Sequence, residues 1–436
     1  MTDYNKELIS FLDKSPTAFH AIANIKTRLE AEGYTELVES AKWELSEGGK
    51  YFVVRNDSSI IAFRTPIFDF TGFMISAAHS DSPAFKVKEN PEIVENGYVK
   101  LNVEGYGGML MAPWLDRPLS VAGRIIVKNG NKYEVRLVNV DRDLLLIPNV
   151  AIHMNRDANK NQPWNAQVDM LPILGSADET KGAFMRIVAE VAEVNEDEII
   201  SHDLFIYARD KGKVWGGSDE YISAPNLDDL QCVYGCLEGF LGANNSSSVP
   251  VLAVFDNEET GSLTKQGADS TLLEDVLKRI SLSCSKDEEG YYRAVSSSFM
   301  VSADNAHALH PNHPEKADPV NRPAINKGIV IKFNAAQHYT TDAVSCAVYR
   351  DLCESNDIPV QVFTNRSDSR GGSTLGNVSN AHVSLNTVDI GLAQLAMHSC
   401  YETAGAKDTK YLIDAMTIFY SKTFRTDKAG LFELAD

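Results

Sequence analysis

Helix and strand alternation, interrupted once by a long β-rich stretch, constrains the fold of this chain more than any other feature. Residues 4–32 place apolar side chains at helical spacing, and residues 51–79 follow with short runs rich in β-branched and aromatic residues. Residues 90–221 contain many short strand patterns and few long helical ones, whereas the alternation returns in the remainder of the chain. The sequence therefore predicts an α/β domain formed by residues 1–89 and 222–436, with a β-rich domain inserted at 90–221.

The composition predicts an ordinary globular protein. The chain has 436 residues, 44% of them hydrophobic, and its 41 basic and 60 acidic residues give a net charge of −19. This balance disfavours nucleic acid and anionic membrane surfaces as main partners.

No run approaches the roughly 20 apolar residues of a membrane helix, and the N-terminal stretch lacks the apolar core of a signal peptide. The six cysteines form no CxxC pair, which favours reduced thiols and a cytoplasmic location.

Metal-capable side chains stand at or just after the ends of five apolar runs. They are His79 and Asp81 in ISAAHSDSPAF, Asp228 and Asp229 in APNLDDLQ, Glu258 and Glu259 in VFDNEETGS, Asp304 in VSADNAHALHP, and His398 in LAQLAMHSC. The carboxyl ends of parallel strands lie together at one edge of an α/β sheet, so residues far apart in sequence can converge there. We therefore expect the five segments to meet at one site.

Most of these segments also have a purely structural interpretation. The histidine and aspartate of the first segment could form a hydrogen-bonded turn, the two adjacent aspartates could begin a helix, and His398 could be a core histidine. The adjacent pair Glu258 and Glu259 is harder to explain, because two like charges at the end of a buried strand repel each other. A cation between them would remove that repulsion.

A site for two divalent metal ions accounts for all five segments together. Two ions about 3.5–4 Å apart need a bridging carboxylate, a few terminal ligands and a shared water. Histidine and carboxylate ligands without cysteine suit Zn²⁺, with Co²⁺ or Mn²⁺ as possible substitutes. A glutamate next to a ligand glutamate could act as the base for the water.

The sequence resembles the aspartyl aminopeptidases, dinuclear zinc peptidases of the cocatalytic metallopeptidase clan. The matching motifs run in order along nearly the whole chain: SPTAFHA, AHSDSPAFKVK, IPNVAIHMNR, SAPNLDDL, DNEETGS, DNAHALHPNHPEK, IVIKFN and LAMHSCYET. The resemblance implies a central mixed sheet flanked by helices and an inserted β-rich domain that makes a dimer contact. It also implies hydrolysis of the N-terminal residue of short peptides that have a free N-terminus, with N-terminal Asp or Glu preferred.

The resemblance assigns roles to individual residues of this sequence. His79 and Asp304 would bind one zinc, Glu259 and His398 would bind the other, and Asp228 would bridge the two ions. Glu258 would be the general base of the reaction. Asp81 would orient the ring of His79, as partners of metal-bound histidines commonly do.

Three further residues are expected to contact the substrate by the same resemblance. His153 would reach the active site of a neighbouring subunit, and Lys332 would be a cation for an acidic substrate side chain. His338 stands where the animal members have arginine, so a neutral or broad specificity is an alternative to the acidic preference. The chain also has Leu227-Asp228-Asp229 where those members have LDN, a change that keeps the bridging Asp228.

The resemblance implies a homo-oligomer, a closed tetrahedral dodecamer built from dimers. Two other functions stay open at this point: a related dinuclear deacylase or carboxypeptidase, and a non-catalytic peptide-binding or assembly protein on the same fold. A separate metal site at His307, His310 and His313 is disfavoured, because Pro311 and Pro314 break any regular helix there.

Overall fold

The computed structural model describes residues 3–369 and 371–436, which form ten α-helices and 22 β-strands. The helices are α1 (Tyr4–Asp13), α2 (Ala18–Ala31), α3 (Ala177–Thr180), α4 (Ala183–Ala192), α5 (Leu227–Gly242), α6 (Leu272–Ser283), α7 (Glu288–Ser296), α8 (Ala343–Glu354), α9 (Leu375–Ser379) and α10 (Asp408–Tyr420). The strands are β1 (Thr35–Glu36), β2 (Gly49–Arg55), β3 (Ser59–Thr65), β4 (Phe73–His79), β5 (Ala84–Glu95), β6 (Tyr98–Tyr106), β7 (Leu119–Asn129), β8 (Lys132–Asn139), β9 (Ile173–Ser176), β10 (Ile199–Ala208), β11 (Lys213–Trp215), β12 (Tyr221–Ala224), β13 (Val249–Phe255), β14 (Phe299–Ala303), β15 (Ala306–His307), β16 (Ile329–Phe333), β17 (Val360–Thr364), β18 (Asn386–Gly391), β19 (Ala393–Leu395), β20 (Glu402–Gly405), β21 (Thr423–Lys428) and β22 (Leu431–Ala435).

A nine-stranded mixed sheet is the centre of the fold and confirms the predicted α/β class. Its strand order is β1-β2-β3-β13-β4-β14-β18-β16-β17. The central strands β13, β4, β14 and β18 run parallel to one another, whereas β3 and β16 pair with this block in the antiparallel direction. All seven residues of β4 are buried, as expected for a strand covered on both faces.

Two separate hydrophobic clusters cover the two faces of this sheet. Successive residues of a strand point to opposite faces, and accordingly Ile60 and Ile61 of β3 belong to different clusters. The first cluster includes apolar residues of α1, α2, α5, α8 and α10, and the second includes those of α6 and α7. The sheet is therefore the middle layer of three.

The β-rich stretch forms a six-stranded antiparallel sheet with the order β8-β7-β10-β5-β6-β9. This sheet has a hydrophobic cluster of its own, which includes Phe85 and Leu204. It begins with β5 at Ala84, a few residues before the predicted start of the insertion at 90. Strands β11 and β12 lie in a different, five-stranded sheet of order β11-β12-β20-β19-β15.

All six cysteines are buried and free. Within the described residues, no helix combines the length and apolar character that crossing a bilayer requires.

Candidate metal centre

Three of the predicted segments follow neighbouring parallel strands of the nine-stranded sheet. In the β13–β4 pair, Phe255 lies opposite His79, and in the β14–β4 pair Ser302 lies opposite Ala77. The side chain of His79 therefore lies beside the chain segments that carry the glutamate pair and Asp304. This is the convergence at the carboxyl ends of strands that the sequence predicts.

The other two segments do not come from the ends of strands in this sheet, which corrects the expectation of one common edge. Asp228 lies at the start of α5, where its backbone is not helical, and the preceding Asn226 has a φ of 57°. His398 lies in the connection between β19 and β20 and has a φ of 66°. The five-stranded sheet, rather than the nine-stranded sheet, carries these two residues to the site.

The glutamate pair leaves its strand at once, as the convergence requires. In a continuing strand the two side chains would point to opposite faces. Asn257 has a φ of 63°, and a single 3-10 turn, Glu258–Thr260, follows it. This turn lets both carboxylates point toward the same cluster.

The five predicted ligands converge with Asp229 and Glu258 in three overlapping groups. Potential ligand atoms lie within 4.8 Å of one another in each group: His79, Asp228, Asp229 and Asp304; His79, Glu258 and Glu259; and Asp228, Glu259 and His398. Asp228 lies between the two histidines, with Oδ1 3.5 Å from His79 Nε2 and Oδ2 3.5 Å from His398 Nε2. His398 Nε2 is also 3.4 Å from Glu259 Oε1.

The chemistry of this cluster fits bound cations. The Oδ1 atoms of Asp228 and Asp229 are buried and have no hydrogen-bond partner in the described part of the chain. A buried carboxylate oxygen without a partner is costly unless a positive charge faces it. Imidazole nitrogens and carboxylate oxygens with no cysteine form a donor set that suits zinc.

The pKa values of the carboxylates show the same need for positive charge. Burial raises the pKa of Glu258 to about 8, against the opposing charge of His79. Burial and then the charge of Asp228 raise the pKa of Glu259 well above its usual value. Burial raises the pKa of Asp304 as well. Without cations, Glu258 would hold a proton at neutral pH.

The pKa values of the two histidines are raised as well, which in their case favours the charged form. Burial disfavours a charge on His79, but the carboxylates of Asp228 and Asp81, at 3.5 and 3.4 Å from its ring nitrogens, raise its pKa well above its usual value. Burial acts likewise on His398, and the hydrogen bond with Asp228 and the charge of Glu259 raise its pKa to about 10. Burial opposes ionisation of Asp228, but these histidines lower its pKa. Asp228 is thus held in its ionised form by the two histidines.

Asp81 connects the histidine to the glutamate turn. Its Oδ1 accepts the N–H of Glu258 at 3.1 Å, and its Oδ2 accepts the N–H of Glu259 at 3.2 Å and the hydroxyl of Tyr106 at 2.7 Å. The atom of Asp81 nearest to His79 Nδ1 is the backbone carbonyl oxygen, at 3.0 Å, whereas the carboxylate oxygen is 3.4 Å away. The carboxylate therefore mainly orders the turn, which the sequence did not predict.

Glu402 is a buried site residue that the sequence analysis missed. Its Oε2 accepts the N–H of Asp228 at 2.9 Å, and its Oε1 accepts the N–H of His398 at 2.7 Å. Burial raises the pKa of Glu402 to about 8. Its position four residues after His398, in the motif LAMHSCYET, was the one available signal.

Lys332 is buried beside Asp304, with only 3% of its side chain exposed. Its ammonium group lies 3.2 Å from Asp304 Oδ2 and donates a hydrogen bond to the carbonyl of Asn305 at 3.0 Å. An ammonium group has three donors, so one remains for another partner. Lys332 therefore lies within the centre and does not extend to solvent, as strand lysines commonly do.

The other two predicted substrate contacts lie outside the cluster. His153 is exposed in the irregular segment between β8 and β9, and within the described residues it has no hydrogen bond or ion pair to the centre. His338 is also exposed, on the loop between β16 and α8. Among the described residues, His307, His310 and His313 are not part of any cluster that could hold a metal.

Comparison with known proteins identifies the family. The family described as "Aminopeptidase I zinc metalloprotease (M18)" matches residues 11–420. The chain belongs to the M18 family. A probable M18 family aminopeptidase 2 of Clostridium acetobutylicum is 48% identical over 427 residues, which cover 96% of this chain and 99% of that protein. The M18 chain is therefore a zinc-dependent aminopeptidase, as the resemblance implied.

Solved structures agree with this assignment. A chain of the Ape4 and Nbr1 complex superimposes with a TM-score of 0.91 and 33% identity, covering 95% of this chain and 85% of that chain. The mApe1 dodecamer of S. cerevisiae gives a TM-score of 0.84 and 28% identity, covering 96% of both chains. The M18 chain thus shares the fold of these two proteins over nearly its whole length.

Proposed function

We propose that this M18 aminopeptidase uses two zinc ions, held as the resemblance implies, to remove the N-terminal residue of short peptides. The observation that carries the proposal is the position of Asp228 between His79 and His398, 3.5 Å from a ring nitrogen of each. One carboxylate with an oxygen facing each histidine is suited to bridge two ions. Asp304 would complete the His79 side, and Glu259 the His398 side.

Bound at these residues, the two zinc ions would supply Lewis-acid polarisation of the scissile carbonyl and a shared water of lowered pKa. Glu258 is the general base, because it stands in the cluster without being needed as a ligand. It takes a proton from the attacking water and passes it to the leaving nitrogen. Asp81 holds the Glu258 backbone during both transfers through the N–H bond described above.

A preference for N-terminal Asp or Glu is part of the proposal. The ammonium of Lys332 uses two of its three donors on Asp304 and the Asn305 carbonyl. The third could donate to a carboxylate on the first substrate residue, and a charged hydrogen bond in a partly enclosed site is worth about 1.5–3 kcal/mol. His338, exposed on the neighbouring loop, is the second candidate contact.

We also propose a homo-oligomer, a dodecamer built from dimers, in which His153 reaches the active site of a neighbouring subunit. The mApe1 relative is a dodecamer. The residues beside His153 are apolar yet exposed, including Ile152 at 48% and Met154 at 83%. Contiguous exposed apolar residues are typical of protein interfaces. We assign this contact to the inserted domain at 90–221 and the catalytic chemistry to 1–89 and 222–436, in a cytoplasmic enzyme.

A substrate panel with a metal count tests the proposed activity. The zinc-loaded enzyme should hydrolyse dipeptides with a free amine and reject the same dipeptides after N-acetylation. Hydrolysis of the acetylated series instead would indicate a deacylase. Elemental analysis should give two zinc ions per chain, and a single ion at full activity would contradict the dinuclear assignment.

Light scattering tests the assembly, since a fully active monomer would exclude a role for His153 in a neighbouring site.

A further inference from the structure

The predicted metal ligands come from two different sheets, so their alignment depends on how the two sheets are joined. The chain passes from the nine-stranded to the five-stranded sheet between β14 and β15, directly after Asp304. The segment that joins β18 to β19 makes the same crossing beside it, where the N–H of Asp304 donates to the carbonyl of Ile390 at 3.0 Å. The N–H of Ala306 donates to the carbonyl of Leu392 at 2.8 Å. The residue between these two bonds therefore lies at the junction of the sheets.

Asn305 occupies this junction and is only 2% exposed. Its Nδ2 donates to the carbonyl of Leu227 at 3.0 Å and to Gln394 Oε1 at 2.9 Å, with Gln231 Oε1 at 3.3 Å as a third acceptor. Its Oδ1 accepts a hydrogen bond from Cys232 Sγ at 3.1 Å. Both ends of this buried amide are therefore bonded to protein groups, and a satisfied buried network holds its members rigidly.

The partners of this amide belong to the segments that carry the predicted metal ligands. Leu227 directly precedes Asp228, the residue placed between the two histidines. Gln394 lies on β19, four residues before His398. The amide itself belongs to the residue that follows Asp304. One side chain thus joins three ligand-bearing segments from the two sheets.

The backbone of Asn305 makes a further bond at the same place. Its carbonyl accepts the ammonium group of Lys332 at 3.0 Å, and that ammonium lies 3.2 Å from Asp304 Oδ2. The carboxylate of Asp304 is thus fixed by a cation that Asn305 also holds. The buried carboxylate of Glu402 links only the other two segments to each other. Asn305 supplies the connection to the Asp304 segment.

We propose that Asn305 is the positioning residue that aligns the ligands of the two sheets for zinc. It holds Asp304 of the nine-stranded sheet against Asp228 and His398, which the five-stranded sheet carries. The inference rests on the two-zinc centre proposed above and extends it to a residue that contacts neither metal nor substrate. Loss of such a supporting residue typically lowers metal affinity about 10- to 100-fold.

The zinc affinity of the full chain, measured by competition with a chelator, tests the proposal. Asn305→Ala should lower this affinity about 10- to 100-fold, because the Leu227 carbonyl and Gln394 lose their donor. The kcat at saturating zinc should largely recover, since every ligand is still present. A kcat that stays low at saturating zinc would assign Asn305 to the chemistry and overturn the positioning role.

Thr409→Val is the matched control for a buried lesion in the same network. It removes the hydroxyl that accepts a hydrogen bond from Gln231 at 3.0 Å, a contact between α5 and α10 that does not cross the junction of the sheets. Thermal unfolding of the metal-free control should show a loss of stability, whereas its zinc affinity should equal that of the wild type. Equal zinc affinities of Thr409→Val and Asn305→Ala would reduce Asn305 to a structural residue and overturn the proposal.

Gln394→Leu supplies a milder test of the same link. Within the described residues, the Gln394 side chain bonds only to Asn305, and its Nε2 has no partner, so the substitution removes one hydrogen bond. The zinc affinity should fall about three- to tenfold, as the loss of one buried bond allows. The double variant should bind zinc as Asn305→Ala alone does, because both changes break one link.

The remaining outcomes separate this inference from the proposed activity. Losses of affinity that add in full in the double variant would overturn the link between Asn305 and Gln394. If Asn305→Ala does not fold, Gln394→Leu decides alone, and an unchanged zinc affinity overturns the proposal. The proposed activity stands in each of these cases if the wild type binds two zinc ions and hydrolyses dipeptides with a free amine. A wild type that binds no zinc would overturn both.

Discussion

Asp81 accepts the backbone N–H of Glu258 at 3.1 Å, so one buried carboxylate sets the position of the proposed base. The same side chain accepts the N–H of Glu259, the adjacent residue. These two bonds hold the backbone of both glutamates in the turn, and bound cations would offset the repulsion between their side chains. We draw five predictions from this and the other contacts of the centre.

Asp81→Asn should lower kcat about 10- to 100-fold, the usual effect of losing a residue that supports a metal site. The asparagine amide can accept one N–H of the turn but presents a donor to the other. Steady-state kinetics at saturating zinc measure the effect. Tyr106→Phe is the control, because it removes the hydroxyl bonds to Asp81 and to the Asn257 side chain but leaves both N–H bonds of the turn to Asp81 intact. An activity of Asp81→Asn equal to that of the control would remove Asp81 from the positioning of the turn.

Glu258→Gln should bind zinc nearly as the wild type does and lose most turnover, because a glutamine cannot accept the proton of the water. Asp228→Ala should lose zinc and activity together, since it removes the carboxylate between the two histidines. Elemental analysis and single-substrate kinetics on both variants separate binding from chemistry. A near wild-type rate for Glu258→Gln would show that another group is the base.

Glu402→Gln should weaken zinc binding, although Glu402 does not face the cluster itself. A glutamine has one acceptor oxygen for the two N–H groups of Asp228 and His398. We expect the zinc affinity to fall about 10- to 100-fold, with kcat largely restored at saturating zinc. Competition with a chelator measures the affinity. A variant with normal affinity but a lower kcat would place Glu402 in the chemistry rather than in positioning the ligands.

The metal-free protein should lose stability as the pH rises. The folded state raises the pKa of Glu258 from 4.5 to about 8 and that of His398 from 6.5 to about 10. Both groups therefore bind more protons folded than unfolded, and their contribution is lost as the pH rises through the folded values. The contribution of Glu258 is lost between pH 4.5 and about 8, and that of His398 between pH 6.5 and about 10. Both contributions therefore fall between pH 6.5 and 8. Bound zinc should remove this pH dependence of stability, because the metal takes the place of the protons bound in the cluster.

Thermal unfolding of metal-free and zinc-loaded protein at pH 6.5 and 8 measures this difference. Calorimetry of zinc binding in buffers of different ionisation enthalpy should also show proton release at pH 7. A binding reaction without proton release would contradict the account of the two adjacent glutamates.

Lys332→Ala should reduce kcat/KM for N-terminal Asp and Glu about tenfold more than for Leu, Ala or Lys, at saturating zinc. The physical reason is the third donor of the ammonium, which neither Asp304 nor Asn305 uses. A panel of aminoacyl substrates measures the ratio. An equal loss for all five residues would assign Lys332 to the support of Asp304 alone.

Local sequence patterns predicted the elements and the residue types of the centre. The buried strands that lead to His79 and Asp304 are short apolar runs. Such runs can be recognised in a sequence because burial selects apolar residues. The glutamate pair was identifiable because two adjacent carboxylates after such a strand need a compensating charge. The sequence did not show that β5 belongs to the inserted sheet, because a strand pattern does not indicate which sheet the strand joins.

The sequence by itself determined the α/β class, the family and the set of metal-capable side chains, because these depend on local pattern and on ordered motifs. Only the tertiary structure decided that Asp228 and His398 arrive from a second sheet, that Lys332 is paired with Asp304, and that Glu402 supports two ligand-bearing segments. These contacts join residues up to 174 positions apart, as Asp228 and Glu402 are. Packing of distant elements sets such contacts, and no local pattern encodes it.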